Sequence, residues 1–177
     1  LPELTTAIKS HGLEPTTKSG LLIALYTFQR TNEIRHARWD EFDFDARLWS
    51  IPAERMKMKR DHVVPLSTQA VTVLQNLKPL TKHYPFVFAS THKPDTQPMS
   101  NNAMLYALYR LGFHGRMTVH GFRHLASTAL NEMGFDGGWI EKQLSHEDKN
   151  TIRGAYNKAK YLPERINMMQ EWADFVD

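Results

Sequence analysis

The sequence predicts an α+β fold that is mainly helical and has a small three-stranded antiparallel sheet at one edge. Two observations predict this class: apolar residues recur at strand spacing between positions 39 and 66, and at helical spacing over most of the chain that follows. A third observation is the length of 177 residues, which one hydrophobic core can serve. We therefore expect residues 1–177 to form a single domain.

A buried helix is the first predicted element, and three strands follow it. Apolar spacing predicts the helix over residues 18–28, two short strands on either side of a turn at residues 45–47, and a third strand around Val64. The residues that mark the strands are Trp39, Phe42, Phe44, Leu48, Trp49, Ile51, Val63, Val64 and Leu66. Between the second and third strands, the basic segment 55–60 is interpreted as an exposed hairpin connection.

Five further helices are predicted after the sheet. They cover residues 67–77, 100–111, 120–133, 136–144 and 163–175. The segment 78–98 contains four prolines and is predicted to be mostly loop, with a short extended piece at residues 86–88.

The helix over residues 120–133 has two chemically different sides. Its core face is predicted from the apolar residues Phe122, Leu125, Ala126, Ala129, Leu130 and Met133. His120, Arg123 and His124 fall on the other side, within the first turns, where backbone N–H groups and the helix dipole attract anions. This end of the helix is therefore a candidate phosphate site.

The composition is that of a globular protein with a weakly basic balance. Hydrophobic residues make up 41% and charged residues 23%, and the net charge of +3 weakly favours a polyanionic partner. The absence of cysteine excludes disulfides, zinc–thiolate sites and thiol nucleophiles. With no long apolar run and no signal-peptide pattern, we expect a cytoplasmic protein without a membrane partner.

Four short motifs occur in one order along the chain. They are Arg30-Thr31-Asn32-Glu33-Ile34, His120-Gly121-Phe122-Arg123, Leu144-Ser145-His146 and Ala155-Tyr156-Asn157. Each motif alone is weak, but the ordered set, with a basic hairpin between the first two, is specific. The set resembles the signature of the tyrosine recombinases, and the segments 51–57 and 161–165 resemble integrases of satellite phages and genomic islands. The resemblance covers almost the whole chain.

The resemblance implies the catalytic-domain fold of that family, with N-terminal DNA-binding modules outside this sequence. It also implies a catalytic set of six residues, which are Arg30, Lys57, His120, Arg123, His146 and the nucleophile Tyr156. Lys59 is the alternative to Lys57, and Tyr161 is the alternative to Tyr156. One departure is Phe28, which follows Thr27 where related integrases often have a glycine.

The implied reaction is site-specific DNA recombination through a 3′-phosphotyrosine intermediate. Arg30 and Arg123 would hydrogen-bond the nonbridging oxygens, because a planar guanidinium matches that geometry. Tyr156 would attack phosphorus while Lys57 protonates the departing 5′-oxygen. The resemblance assigns His120 to proton transfer from the tyrosine, and His146 to binding the phosphate or orienting its neighbours. It implies no cofactor, neither a metal ion nor ATP.

The implied partners are double-stranded DNA attachment sites and further copies of the protein. The resemblance predicts a homo-tetramer on DNA that integrates or excises a prophage or genomic island, in the nucleoid when bound, with accessory DNA-bending or directionality factors. Lys59 and Arg60 are candidates for DNA backbone contacts, and solvated loop charges are an equal alternative.

Several alternatives stay open at the level of sequence. The chain is also compatible with a DNA-binding module that does not cleave, or with strand relaxation like that of a type IB topoisomerase. A metal-dependent nuclease is disfavoured, because no carboxylate lies between His120 and His124 as in the HExxH motif. The last helix has an apolar side formed by Ile166, Met169, Trp172, Phe175 and Val176, which packs either on its own core or on a neighbouring protomer.

Overall fold

The computed structural model describes residues 2–57, 59–146 and 161–177. In chain order its regular elements are α1 (Pro2–Ser10), α2 (Pro15–Thr27), α3 (Thr31–Arg35), β1 (Phe42–Asp43), β2 (Leu48–Ile51), β3 (His62–Pro65), α4 (Thr68–Thr81), α5 (Ala103–Leu108), α6 (Gly121–Glu132), α7 (Gly137–Gln143) and α8 (Leu162–Val176). Short 3₁₀ turns occupy Trp39–Glu41 and Ala53–Arg55, and a π-helical segment occupies Tyr109–Phe113. The predicted class, mainly helical with one small sheet, is confirmed.

The sheet has the predicted three strands in the order β1-β2-β3, and both pairings are antiparallel. Trp49 lies opposite Phe42 on one side and Val64 on the other, and the rings of Phe42 and Trp49 stack with centroids 5.2 Å apart. Trp49, Ile51 and Val64 are buried. The sheet therefore joins the helical core through one apolar face.

Helix α2 forms the centre of the core. Leu21, Ile23 and Leu25 are completely buried, and the helix packs against α1, α3, α4, α5 and α8. It begins three residues before the predicted start, because Pro15 occupies its first turn and the Glu14 carboxylate accepts the N–H groups of the next two residues. A helix that is apolar on all sides is expected inside a domain.

Other predicted boundaries differ from the observed ones. Helices α1 and α3 were not predicted, and α4 continues through Pro79 to Thr81. The piece expected to be extended at residues 86–88 is a turn instead, because Val87 donates its N–H to the Ala37 carbonyl at 2.9 Å rather than to a neighbouring strand.

Helix α8 packs on the core of its own chain. Met168, Met169, Trp172 and Val176 are buried, and the Trp172 indole N–H donates to the Leu25 carbonyl at 2.9 Å. The predicted apolar side was partly wrong: Ile166 and Phe175 are 47% and 52% exposed, and the buried face also includes Arg165. The buried positions recur every three to four residues, as in an amphipathic helix.

Candidate active site

The ends of two helices converge on Arg123. This residue lies in the first turn of α6 and is only 3% exposed, so the prediction that it faces away from the core was wrong. Its Nη1 donates to the Phe28 carbonyl and its Nη2 to the Leu144 carbonyl, both at 2.6 Å. These carbonyls follow the last turns of α2 and α7, where the helix dipole is negative. The fold therefore surrounds a buried cation with oriented acceptors.

The first of these acceptors depends on the backbone of Phe28. Phe28 caps α2 in the left-handed conformation, with φ of 42°, and its N–H donates to the Ala24 carbonyl at 2.9 Å. Glycine adopts that conformation without strain, which accounts for its use at such positions. In this chain the Phe28 ring is completely buried against Trp172, with the centroids 6.2 Å apart. Packing therefore compensates for a backbone conformation that phenylalanine disfavours.

The second acceptor depends on how α7 ends. Ser145 has φ of 51°, its N–H donates to the Lys142 carbonyl, and the His146 N–H donates to the Glu141 carbonyl at 3.1 Å. These two hydrogen bonds, one reaching back three residues and the other five, form a Schellman motif, which usually has glycine at the left-handed position. The motif turns the chain sharply, so that the carbonyls of Leu144 and Ser145 contact Arg123 and Arg30 respectively.

Arg30 lies directly before α3 and is held by Glu33. Its Nη1 lies 2.9 Å from one oxygen of the Glu33 carboxylate, and its backbone N–H donates to the other at 2.8 Å. Its Nη2 donates to the Ser145 carbonyl at 3.4 Å. The ion pair considered from the sequence as an alternative role for Arg30 is thus formed, and it holds the guanidinium beside Arg123.

His146 and His120 lie next to the two arginines. His146 Nδ1 is 2.9 Å from the Glu141 carboxylate, and its Nε2 is 3.4 Å from Arg123 Nη2. Because Arg123 can only donate, this arrangement fits an imidazole with its proton on Nδ1. His120 is exposed beside His124, with ring centroids 5.3 Å apart.

Electrostatics also group these residues. The pKa of His120 is lowered, first by its partial burial and next by the positive charge of Arg123. His124, Arg30 and His146 lower it further. Burial, and then the charge of Arg30, lowers the pKa of Arg123 to about 10, which leaves it protonated at neutral pH. We call Arg30, His120, Arg123 and His146 the arginine–histidine cluster. It combines fixed positive charge with groups that can exchange protons.

The three hairpin residues considered as functional are exposed. Lys57 lies in the turn between β2 and β3, and among the hydrogen bonds and ion pairs of the described residues none joins its side chain to the cluster. Lys59 is exposed, with φ of 50° and a 3.4 Å contact from Nζ to the Glu54 carbonyl, and Arg60 is exposed after it. Arg55, in contrast, is largely buried, so the prediction that the whole segment is exposed was wrong.

Of the two tyrosines considered as nucleophile, Tyr156 lies outside the described residues. Tyr161 is partly exposed directly before α8, with φ of 45°, and its carbonyl accepts the Arg165 N–H at 2.9 Å.

A buried polar network that the sequence did not predict lies behind the cluster. Gln143 is completely buried; its Oε1 accepts from Arg165 Nη2 at 2.6 Å, and its Nε2 donates to the Thr27 carbonyl at 3.3 Å. Its own carbonyl is 3.1 Å from Gln29 Nε2 and 3.2 Å from His62 Nε2. We call these five residues the Gln143 network. It ties α2, β3, α7 and α8 together next to Arg30 and His146.

No local sequence signal reveals this network, because Gln143 is 22 residues from Arg165 and 116 from Thr27. The role of Glu33 was more accessible, since it follows Arg30 at the three-residue spacing of a helix cap. Within residues 2–57, 59–146 and 161–177, no three His, Cys, Asp or Glu side chains are grouped as a metal ion would require.

Comparison with known proteins agrees with the fold and with the family that the sequence resembles. Residues 1–162 match the model of the phage integrase family. The chain belongs to this family. It is 47% identical to the prophage integrase IntA of Escherichia coli strain K12 over 176 residues, which are 99% of this chain and 42% of IntA. It is 40% identical to the integrase of Enterobacteria phage P4 in an alignment of length 192, which covers 99% of this chain and 44% of that integrase. The chain thus spans less than half the length of these relatives.

Solved structures share the same fold at low sequence identity. The integrase from mycobacterium phage Brujita superposes with a TM-score of 0.72 and 17% identity, covering 99% of this chain and 62% of that one. The XerA recombinase superposes with a TM-score of 0.67 and 15% identity, and the match covers 95% of this chain and 55% of the XerA chain.

Proposed function

We propose that the full-length protein performs site-specific DNA recombination and thereby integrates or excises a prophage or genomic island. Residues 1–177 serve as its catalytic domain, and DNA-binding modules elsewhere in the protein recognise the target. The observation that carries this proposal is the convergence of two arginines and two histidines, from three separate motifs of a phage integrase family member, on one site.

The cluster suits a phosphodiester, whose anionic oxygens repel a nucleophile until their charge is neutralised. Arg30 and Arg123 bind the two nonbridging oxygens. A guanidinium carries five N–H donors, so Arg123 can bind the carbonyls of Phe28 and Leu144 and a phosphate oxygen at the same time. Both side chains are held before DNA arrives, so little reorganisation accompanies the reaction.

Cleavage then exchanges one phosphoester bond for another. The Tyr156 oxygen bonds to phosphorus, the bond from phosphorus to the 5′-oxygen breaks, and a 3′-phosphotyrosine forms. His120 takes part in removing the phenolic proton, since its lowered pKa favours the neutral imidazole that can accept one. Lys57 donates a proton to the departing 5′-oxygen, and His146 binds the phosphate. Attack by a 5′-hydroxyl of another strand reverses these steps and seals the DNA.

The partners follow from this reaction. They are double-stranded DNA attachment sites, three further copies of the protein in a tetramer on DNA, and accessory proteins that bend DNA or set direction. Among the helices of the described residues, none combines the length and the apolar character that a membrane span requires. We place the reaction in the bacterial cytoplasm, on nucleoid DNA, with no cofactor.

The decisive experiment traps the covalent intermediate. The full-length protein is incubated in EDTA with a nicked suicide substrate of its attachment site, and the products are resolved on a denaturing gel. We expect an adduct from the wild type and from Tyr161→Phe, which is the matched control, and none from Tyr156→Phe. An adduct from Tyr156→Phe but not from Tyr161→Phe would assign the nucleophile to Tyr161.

Two other outcomes would replace the proposal. DNA binding without an adduct from any variant would make the protein a binding module that does not cleave. An adduct together with relaxation of a supercoiled plasmid, and no exchange between two attachment sites, would indicate a topoisomerase.

A further inference from the structure

The base of the β2–β3 hairpin is anchored by an arginine that points inward. Arg55 lies two residues before Lys57, and its side chain is 17% exposed. Its Nη2 forms an ion pair with the Glu41 carboxylate at 2.6 Å, and its Nη1 donates to the Glu33 carbonyl at 3.1 Å. Arg55 thus contacts both the 3₁₀ turn before the sheet and helix α3.

The residue between Arg55 and Lys57 strengthens this anchor. Met56 is 1% exposed, its N–H donates to the Ala53 carbonyl at 3.1 Å, and its own carbonyl accepts the Lys59 N–H at 3.1 Å. Two consecutive side chains, one charged and one apolar, are therefore held inside immediately before the exposed Lys57.

Glu33 connects this anchor to the arginine–histidine cluster. Its carboxylate binds Arg30 through both oxygens, while its backbone carbonyl binds Arg55. One residue of α3 therefore fixes the first arginine of the cluster and the base of the hairpin relative to each other.

The Arg55–Glu41 pair is poorly explained by stability alone. Glu41 is 7% exposed, and burial raises its pKa despite the Trp49 N–H and the charge of Arg55. Among the described residues, Arg55 Nε and Glu41 Oε1 are buried without hydrogen-bond partners. A buried ion pair with unsatisfied atoms often contributes less to stability than apolar residues of similar volume. Such a pair can instead fix the relative positions of the segments that it joins, here the base of the hairpin and the 3₁₀ turn.

We propose that Arg55 is a positioning residue for Lys57: its ion pair with Glu41 and its hydrogen bond to Glu33 fix the backbone from which the lysine ammonium reaches the leaving 5′-oxygen. This inference rests on the proposed function, in which Lys57 protonates the leaving 5′-oxygen. It predicts that loss of Arg55 impairs the protonation step selectively and leaves phosphate binding by Arg30 and Arg123 intact.

A change of leaving group isolates that step. In a 5′-bridging phosphorothiolate substrate, sulfur replaces the leaving oxygen, so attack by the tyrosine breaks a phosphorus–sulfur bond. The 5′-oxygen would leave as an alkoxide, a base about as strong as hydroxide, whose conjugate acid, water, has a pKa of about 15.7. A thiol has a pKa of only about 8.5, so the sulfur departs as a thiolate without a proton donor. A defect confined to protonation therefore disappears with the sulfur substrate.

The test compares single-turnover cleavage of the oxygen and sulfur substrates by full-length protein. Lys57→Ala is expected to lose about 10²–10⁴-fold with oxygen, the usual contribution of a general acid, and to recover with sulfur. Arg55→Met is expected to lose at least about tenfold with oxygen, because small displacements of a catalytic group are costly, and to recover with sulfur. Arg116→Met, which breaks an exposed ion pair with Glu3 at 3.1 Å, is the matched control and should resemble wild type on both.

Recovery with sulfur also shows that the variant is folded. If Arg55→Met does not fold, Glu41→Gln replaces it, since this change weakens the anchor and preserves shape. Equal losses on both substrates, or no loss with oxygen, would overturn the role assigned to Arg55. Absence of an adduct from the wild type on both substrates would instead refute the proposed function.

Discussion

The Arg123 side chain has a structural role in addition to its proposed catalytic one. Its two terminal nitrogens donate to the carbonyls of Phe28 and Leu144. Lysine keeps the charge but lacks the planar fork that reaches both acceptors. We expect Arg123→Lys to lower the free energy of unfolding by about 1–3 kcal/mol for each buried carbonyl left unsatisfied, and to reduce formation of the covalent adduct. Urea unfolding and the suicide-substrate assay measure the two effects, and unchanged stability would contradict the structural role.

His62 makes stability depend on pH. Burial, and then the charge of Arg165, lowers its pKa from 6.5 to about 3 in the folded chain. Between these values the unfolded chain binds a proton that the folded chain does not, so the free energy of unfolding falls as the pH drops from 6.5 towards 3.

We expect His62→Gln to reduce this dependence. The slope of the free energy of unfolding against pH should become shallower by up to about 1.4 kcal/mol per pH unit between pH 4 and 6, the effect of one proton. Denaturant titrations at several pH values test this, with His92→Gln, at an exposed loop position, as the control. Parallel slopes for wild type and His62→Gln would show that His62 is protonated in the folded protein.

At the scale of elements, the end of α7 places strain next to the cluster. Ser145 adopts φ of 51° within the Schellman motif, a conformation that favours glycine. We expect Ser145→Gly to raise the thermal unfolding temperature, with a gain of up to about 1 kcal/mol, while adduct formation persists. Ser100→Gly is the comparison, because Ser100 is exposed and does not have a positive φ. A loss of stability would mean that the serine side chain contributes more than the strain costs.

Because α8 packs on its own chain, its buried and exposed aromatic residues should contribute differently to stability. Trp172 is completely buried, whereas Phe175 is 52% exposed. We expect Trp172→Ala to lower the free energy of unfolding by about 3–5 kcal/mol and Phe175→Ala to change it by less than about 0.5 kcal/mol. Denaturant unfolding should give midpoints that do not depend on protein concentration. A dependence on concentration would indicate that α8 packs on a neighbouring protomer in solution.

For the whole molecule, DNA binding should show which surface meets the phosphate backbone. Lys59 and Arg60 are exposed in the hairpin, and each neutralised phosphate changes the slope of log affinity against log salt by about 0.9. We expect Lys59→Ala and Arg60→Ala each to reduce the magnitude of that slope by about 0.9, measured by fluorescence anisotropy of the attachment site. The exposed Lys93 provides the matched control. Unchanged slopes would leave both residues as solvated loop charges.

Several parts of this architecture were accessible from the sequence because they depend on neighbours along the chain. The strands and their turn follow from alternating apolar residues around Trp49, and the buried helix α2 follows from apolar residues on all of its sides. The ordered motifs also identified Arg30, His120, Arg123 and His146, which the fold brings together. Both kinds of signal are accessible without the fold, because periodicity depends on neighbouring residues and the order of motifs is fixed along the chain.

Only the tertiary structure decided how these residues are held. It turned Arg123 inward between two helix ends, connected Gln143 to Arg165, and paired Arg55 with Glu41 in a segment that the sequence presented as exposed. The physical reason is that a buried charge or amide must find hydrogen-bond partners, and those partners come from whichever elements pack nearby, often far away in sequence. Sequence alone thus determined the fold class and identified the four residues of the arginine–histidine cluster, whereas packing determined their burial, orientation and supports.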